Sequence, residues 1–182
     1  MTPRRVHLTG ASGSGTTTLG RALAAAWSVQ HADTDDYYWV PTTPPYTTPR
    51  EPAERLRLMR ELFLGRDAWV LSGSLVSWGE PVLEHLDLVV FLSLDPELRL
   101  ARLEARELQR YGARIRPGGD RASAHREFLD WARRYDDPEF DGRSRSVHER
   151  WLSSLPCPVL RLDSSLPVKA LVAEVSAFLT PR

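Results

Sequence analysis

The fold turns on the stretch Thr9-Gly10-Ala11-Ser12-Gly13-Ser14-Gly15-Thr16-Thr17-Thr18-Leu19-Gly20, TGASGSGTTTLG. Its spacing follows the phosphate-cradling pattern G-x-x-x-x-G-K-[ST], with Gly10, Gly15 and Thr17 at three of the fixed positions. The fourth, where the pattern requires lysine, is Thr16. The chemistry of such a loop is mostly backbone chemistry. Glycines let successive N–H groups turn inward, and the helix that follows points its positive end at the same spot. Neither feature needs lysine. The expected phosphate-binding residues are therefore Gly10, Ala11, Ser12, Gly13, Ser14, Gly15, Thr16, Thr17 and Thr18, with the Thr17 hydroxyl placed for Mg²⁺. The alternative is a flexible glycine-serine turn. Without the lysine, one charge-assisted hydrogen bond of about 1.5–3 kcal/mol is missing, so a catalyst would need its cation from elsewhere.

Working outward, Arg5–Thr9 reads as a short strand before the loop and Leu19–Trp27 as a helix after it, the context the motif requires. A weak strand over 28–32 runs into Asp33-Thr34-Asp35-Asp36. A proline- and threonine-rich stretch, VPTTPPYTTPREP, separates it from a helix carrying Leu56, Met59, Leu62 and Phe63, with Gly65 at its C-terminal cap. Two apolar strands follow, 68–71 ending in Ser72-Gly73-Ser74, and 88–92. Asp95-Pro96 then opens a long helix with an N-cap and a first-turn proline. Gly112 and Pro117-Gly118-Gly119 interrupt it. Two more helices, a fifth strand over 158–162 and a closing helix over 168–179 complete the chain. Short apolar strands alternating with helices specify an α/β fold, a parallel sheet covered on both faces. One domain over 1–182 is expected, with no internal repeat.

A replacement cation would be arginine, because 23 of the 24 basic residues are arginine and Lys169 is the single lysine. Arg99, Arg102, Arg106 and Arg110 recur along one face of the long helix, and Arg114, Arg116 and Arg121 follow in the glycine-bearing segment. Guanidinium forks suit phosphate oxygens. A solvated helix face, balanced by Glu97, Glu104 and Glu107, is the other reading for the helical set. The segment beyond it reads as a closing lid, which would exclude water from a reacting phosphate.

Asp33, Asp35 and Asp36 crowd the end of the second strand, where open parallel sheets bind ligands. Carboxylates this close repel unless a cation or hydroxyl donors share the site. Asp35 is the candidate to orient or deprotonate an attacking hydroxyl, and Asp33 the candidate to hold Mg²⁺ through water. An acidic surface turn that caps a helix is the alternative. His7, His31, His85, His125 and His148 show no metal-ligand spacing. Cys157 reads as structural, and Phe128, Trp131 and Tyr135 as core.

Taken together, GASGSGTT after the first strand, DTDD after the second, SGS after the third, RLEARELQRYGARIRPGGD after the fourth and LDSS after the fifth resemble the small P-loop kinases of the adenylate kinase-like group, including shikimate and gluconate kinases. The resemblance spans essentially the whole chain. It implies a three-layer fold with a five-stranded parallel sheet of order 2-3-1-4-5. It places ATP over the glycine loop, with Asp163-Ser164-Ser165 beside the adenine. An acceptor segment is implied over 37–66 and an arginine-rich lid over 106–125. Asp33, Asp35, Gly73 and Ser74 would contact the acceptor, and Arg50 and Arg55 would clamp an anion on it. Arg102 would sit on the nucleotide, and Arg106, Arg110 and Arg116 on the transferred phosphate.

The expected activity is Mg²⁺-dependent transfer of the γ-phosphate of ATP to a small-molecule or nucleotide acceptor. The alternatives are a non-catalytic nucleotide-binding module and a slow NTP hydrolase, both prompted by Thr16. Equal numbers of acidic and basic side chains, 24 of each, argue against nucleic acid or an anionic membrane as main partner. No apolar run approaches the ~20 residues of a membrane span, and a cytoplasmic monomer or homodimer is expected.

Overall fold

The computed structural model describes residues 4–180. Five parallel strands, β1 (Arg4–Gly10), β2 (Gln30–Asp33), β3 (Ala68–Ser72), β4 (Leu88–Ser93) and β5 (Val159–Asp163), form one sheet in the order β2-β3-β1-β4-β5. This is the expected order. The helices are α1 (Thr16–Trp27), α2 (Thr34–Tyr38), α3 (Pro52–Met59), α4 (Glu80–Leu83), α5 (Pro96–Tyr111), α6 (Ala122–Arg133), α7 (Arg145–Ser153) and α8 (Val168–Phe178).

The strands are apolar on both sides because helices cover both sides. Val6, Leu8, Val70, Leu88, Val90 and Leu92 face Leu19 and Leu23 of α1 and Leu171 and Val175 of α8. Trp69, Leu71, Val89 and Phe91 face the other way, onto Met59 of α3, Phe63 beyond it, and Trp151 and Leu152 of α7. A third, smaller cluster of Leu103, Leu129 and Ala132 joins α5 to α6.

Asp95 caps α5 as its sequence requires, its carboxylate accepting from the N–H groups of Glu97 and Leu98 at 3.0 and 3.1 Å. The acidic stretch opens a helix, as its alternative reading has it: Asp33 caps α2 by accepting from Asp35 N at 3.1 Å. Two elements differ from expectation. Past Met59, α3 widens into a π turn, Arg60–Leu64, and Gly65 ends it with φ −75°, not in the left-handed conformation usual for such a cap. The 106–125 segment is mostly helical, formed by the end of α5, a 3₁₀ turn (Gly112–Ile115) and the start of α6. Parallel strands bring the C-terminal ends of β1, β2 and β3 to one edge, which positions the site.

Candidate active site

β1 delivers the chain into the glycine loop, and two conformations there need glycine. Gly13 has φ +88° and Gly15 φ +91°. Gly13 also lies against α5, where a Cβ would come within 2.7 Å of Arg99 O and 2.8 Å of Leu103 Cγ. Gly15 begins α1 with no side-chain cap and no acidic residue in the first turn. The first helical amide bond runs from Leu19 N to Gly15 O, 3.0 Å, so the amides of Thr16, Thr17 and Thr18 remain for a ligand, while Ser14 N is bonded to Ala11 O at 3.0 Å. Loop and first turn form the floor of a cavity of about 630 Å³.

At the end of β2, Asp33 accepts from three donors. Thr17 Oγ1 lies 2.9 Å and Ser72 Oγ 3.0 Å from Oδ2, and Asp35 N donates to Oδ1. Because Thr17 gives its hydrogen to Asp33, its oxygen lone pairs stay free for a cation. His31 Nε2 is 3.0 Å from Ser72 Oγ. Ser72 has one hydrogen and gives it to a carboxylate, so His31 is the donor in that contact. Burial lowers the His31 pKa, opposed by Asp33. The register pairs Asp33 with Ser72 across β2 and β3, and the line His31–Ser72–Asp33–Thr17 results. Reading the sequence assigned neither His31 nor Ser72 to the site, although strand order alone places the ends of β2 and β3 side by side.

Asp35 opens into the cavity, yet burial raises its pKa, Asp33 adds to the rise, and Arg143 opposes it. Burial and Asp33 likewise raise Asp36. A carboxyl moved toward neutrality suits a proton acceptor. No group of three or more His, Cys, Asp or Glu side chains converges on a metal position among the described residues. The hydroxyl of Thr17 and, through water, Asp33 still fit Mg²⁺, which takes oxygen ligands and keeps several waters.

A second cavity of about 640 Å³ shares a wall with the first. Ser12, Thr17, Asp35, Arg106, Arg110 and Arg143 line both. Trp39, Tyr46 and Tyr111 line the second alone. Of the expected residues, Gly73 and Ser74 line the first, together with Arg102, which donates to Ser164 O at 3.2 Å. Gly73 (φ +116°) turns the chain so that Ser74 N reaches Thr34 Oγ1 at 3.0 Å.

Several expectations need correction. Arg50 and Arg55 line neither cavity. Arg50 donates to the carbonyls of Tyr37 and Trp39, and buried Arg55 donates to Arg50 O at 2.6 Å with its guanidinium 3.8 Å from the Tyr38 ring centre. The proline-rich segment leaves those carbonyls without a ladder, and the two arginines satisfy them. Arg116 is exposed and outside both cavities, at the end of the 3₁₀ turn where the backbone becomes extended. Asp163 accepts from Ser165 N at 2.9 Å, which fixes its own turn, and Ser164 and Leu166 face the cavity instead. Arg99 is neither solvated nor at the phosphate site. It is 1% exposed, bonded to Ala132 O at 3.1 Å, Asp136 at 3.2 Å and Ser12 O at 3.4 Å. Tyr135 is core, whereas Phe128 and Trp131 stack at 6.0 Å and line the second cavity.

The residue that sequence reading missed is Arg143, just before α7. Its guanidinium donates to Gly10 O at 2.7 Å and lines both cavities. Burial lowers its pKa, while Asp35 pushes the other way.

The fold and the lysine-less loop define a P-loop protein. The AAA domain family matches residues 6–125, and the chain belongs to that family. It is 40% identical over 177 residues to the uncharacterized protein YqaC of Bacillus subtilis (strain 168), covering 97% of this chain and 98% of that one. It is also 29% identical over 114 residues to a cytidylate kinase of Methanocorpusculum labreanum (strain ATCC 43576 / DSM 4855 / Z), over 57% of this chain and 63% of that protein. A gluconokinase from Sinorhizobium meliloti 1021 superposes with a TM-score of 0.55 at 19% identity, covering 97% of this chain and 91% of the other. At that identity the likeness to the gluconokinase is one of fold. Among the described residues, no helix is long and apolar enough to cross a membrane.

Proposed function

We propose that the chain moves the γ-phosphoryl group of ATP to a hydroxyl or phosphate of a small molecule or nucleotide held in the second cavity. The observation that carries this reading is the shared wall: Thr17, Asp35, Arg106 and Arg143 line both cavities at the point where they meet. The triphosphate lies on the loop amides and the positive end of α1, with the adenine toward Ser164 and Leu166. Segment 37–66 shapes the acceptor side through Trp39 and Tyr46, and 106–125 acts as the lid.

In the transfer, an acceptor oxygen forms a bond to the γ-phosphorus as the bond to the β,γ-bridging oxygen breaks, and ADP leaves. Asp35 receives the proton when the acceptor is a hydroxyl, its raised pKa bringing it nearer the working pH. The Thr17 hydroxyl and, through water, Asp33 would hold Mg²⁺, which would supply neutralisation of the phosphate charge. Everything else asked of the protein is positioning and charge placement.

The test has two stages. Thermal melting with MgATP should show stabilisation, since ligand at about 100 times its Kd adds ~2.7 kcal/mol. Phosphorus NMR with a panel of sugars, nucleosides and nucleoside monophosphates should then show a phosphorylated acceptor. Binding with free phosphate as the sole product would make the chain a hydrolase, and binding with unchanged nucleotide a non-catalytic module. A flat melt at millimolar MgATP would remove the nucleotide reading altogether.

A further inference from the structure

The loop's missing charge raises a question that geometry answers. Thr16 opens α1 with a short hydroxyl where the motif carries a long cation. Arg21, Arg106, Arg110 and Arg143 are the arginines that line both cavities. Arg106 is paired with buried Glu107 at 3.3 Å. Arg110 lies over the rings of Tyr46 and Tyr111 at 5.8 and 5.9 Å, toward the second cavity. Arg21 is exposed on α1. Arg143 alone among these is bonded to the loop, at the carbonyl of Gly10 where the loop begins. Its Nε is buried without a partner. A buried guanidinium N–H without an acceptor is costly. A ligand oxygen would satisfy it.

The chain holds Arg143 firmly from both sides. Ser144 beside it is fully buried and caps α7 by accepting from Val147 N. Asp136, upstream, accepts from Arg99 at 3.2 Å and from Arg145 at 2.8 Å. Arg99 in turn reaches Ser12 O in the loop, so loop, α6 and the start of α7 are tied to one another. Asp35, the proposed proton acceptor, lines the same two cavities as Arg143. A cation bonded to the loop and sharing both cavities with that carboxylate is placed to meet a phosphoryl group in transit.

Resting on the kinase reading above, we propose that Arg143 supplies the transferred phosphoryl group with the positive charge that Thr16 does not, so that the cation of this phosphate loop comes from the start of α7. A guanidinium can hold two phosphate oxygens in a fixed fork. Unlike a lysine inside the loop, it reaches the terminal phosphate from the acceptor side. Its charge is therefore directed at the γ-phosphate more than at the phosphates that ADP retains.

The experiment compares binding of MgATP and MgADP by titration calorimetry in the unmodified protein, R143Q, R143K, T16K and the double variant T16K/R143Q. R143Q should weaken MgATP by about 10–100-fold, the loss expected for one charge-assisted hydrogen-bonding group, and leave MgADP within a few-fold. R143K, which keeps the charge and loses the fork, should fall between. T16K/R143Q should regain much of the MgATP affinity, because the lysine returns to its usual place. This restoration is also the control for folding, since a variant damaged in structure is not repaired by a new side chain on the far side of the cavity. The proposal is overturned if R143Q binds MgATP as the unmodified protein does. It is equally overturned if R143Q weakens both nucleotides alike and T16K restores neither. If the unmodified protein binds no MgATP, the kinase reading and this proposal fall together; an intact parent with an unaffected R143Q removes this proposal alone.

Discussion

Two buried histidines should make the fold sensitive to mild acid. His7 on β1 and His148 on α7 are both 0% exposed, and each has its Nε2 buried without a partner. Burial lowers His7 to about 4, against a smaller opposing effect of its contact with Leu71 O. Burial, then the charge of Arg143, lowers His148 to about 3. An unfolded histidine titrates near 6.5, so at pH 5 the unfolded chain holds almost one more proton at each site than the folded one. The sign is fixed by that difference: stability is fully present above about pH 6.5 and is lost as pH falls toward the folded values. Between pH 7.5 and 5 each histidine removes about 2 kcal/mol, and the pair about 4 kcal/mol. The size of this loss at pH 5 depends on the unfolded value alone, as long as both folded values lie below 5. Urea unfolding at the two pH values, on the parent and on H7N, H148N and the double variant, measures it. Each substitution has its own packing cost, but that cost is common to both pH values and cancels in the difference. The pH-dependent loss should shrink by about 2 kcal/mol per histidine replaced. A double variant that loses as much stability as the parent on acidification would refute the argument.

Four further outcomes follow from the site. D35N should lower turnover by roughly 10²–10⁴-fold while raising the melting temperature at neutral pH. The raised carboxyl is penalised when ionised, and that penalty disappears only when pH falls below the ordinary carboxylate range. G13A should lower stability and abolish the MgATP melt shift, since it adds a strained positive φ, about 1–3 kcal/mol, to a collision with Arg99 O. G15A has a similar φ but open space around it, so its effect should be the smaller in the same melt. R99M removes a buried cation bonded to three elements and should cost about 3–5 kcal/mol, a fall of roughly 10 °C for a domain of this size. Chelating Mg²⁺ with EDTA should sharply reduce the melt shift given by ATP, because the Thr17 hydroxyl then has no cation to share with the phosphates.

The glycine loop and the Asp95 cap were legible because local sequence dictates each: a glycine at positive φ, a carboxylate facing free amides. The sheet order followed from the resemblance that those motifs carry. What escaped reading depends on contacts between distant segments. Arg143 sits in YDDPEFDGRSRS, which has no periodicity and matches no pattern, and its place is set by Arg99, Asp136 and the capped start of α7. Arg50 and Arg55 had the composition of anion clamps, yet a segment without ladder partners uses their donors on its own carbonyls. Ser72 is the instructive case. The strand order places it next to Asp33, yet nothing in its local sequence distinguishes it from the glycine and serine that follow. Asp35 and Thr17 come together with Asp33 as the DTDD and GASGSGTT motifs implied, because parallel strands end at a common edge.

Every permanent cation lining the two cavities is an arginine. Acetylation, carbamylation and the other modifications that neutralise amines therefore have no target among the described residues that line them. A reagent that marks its host by acylating a pocket amine would find none among the described lining residues.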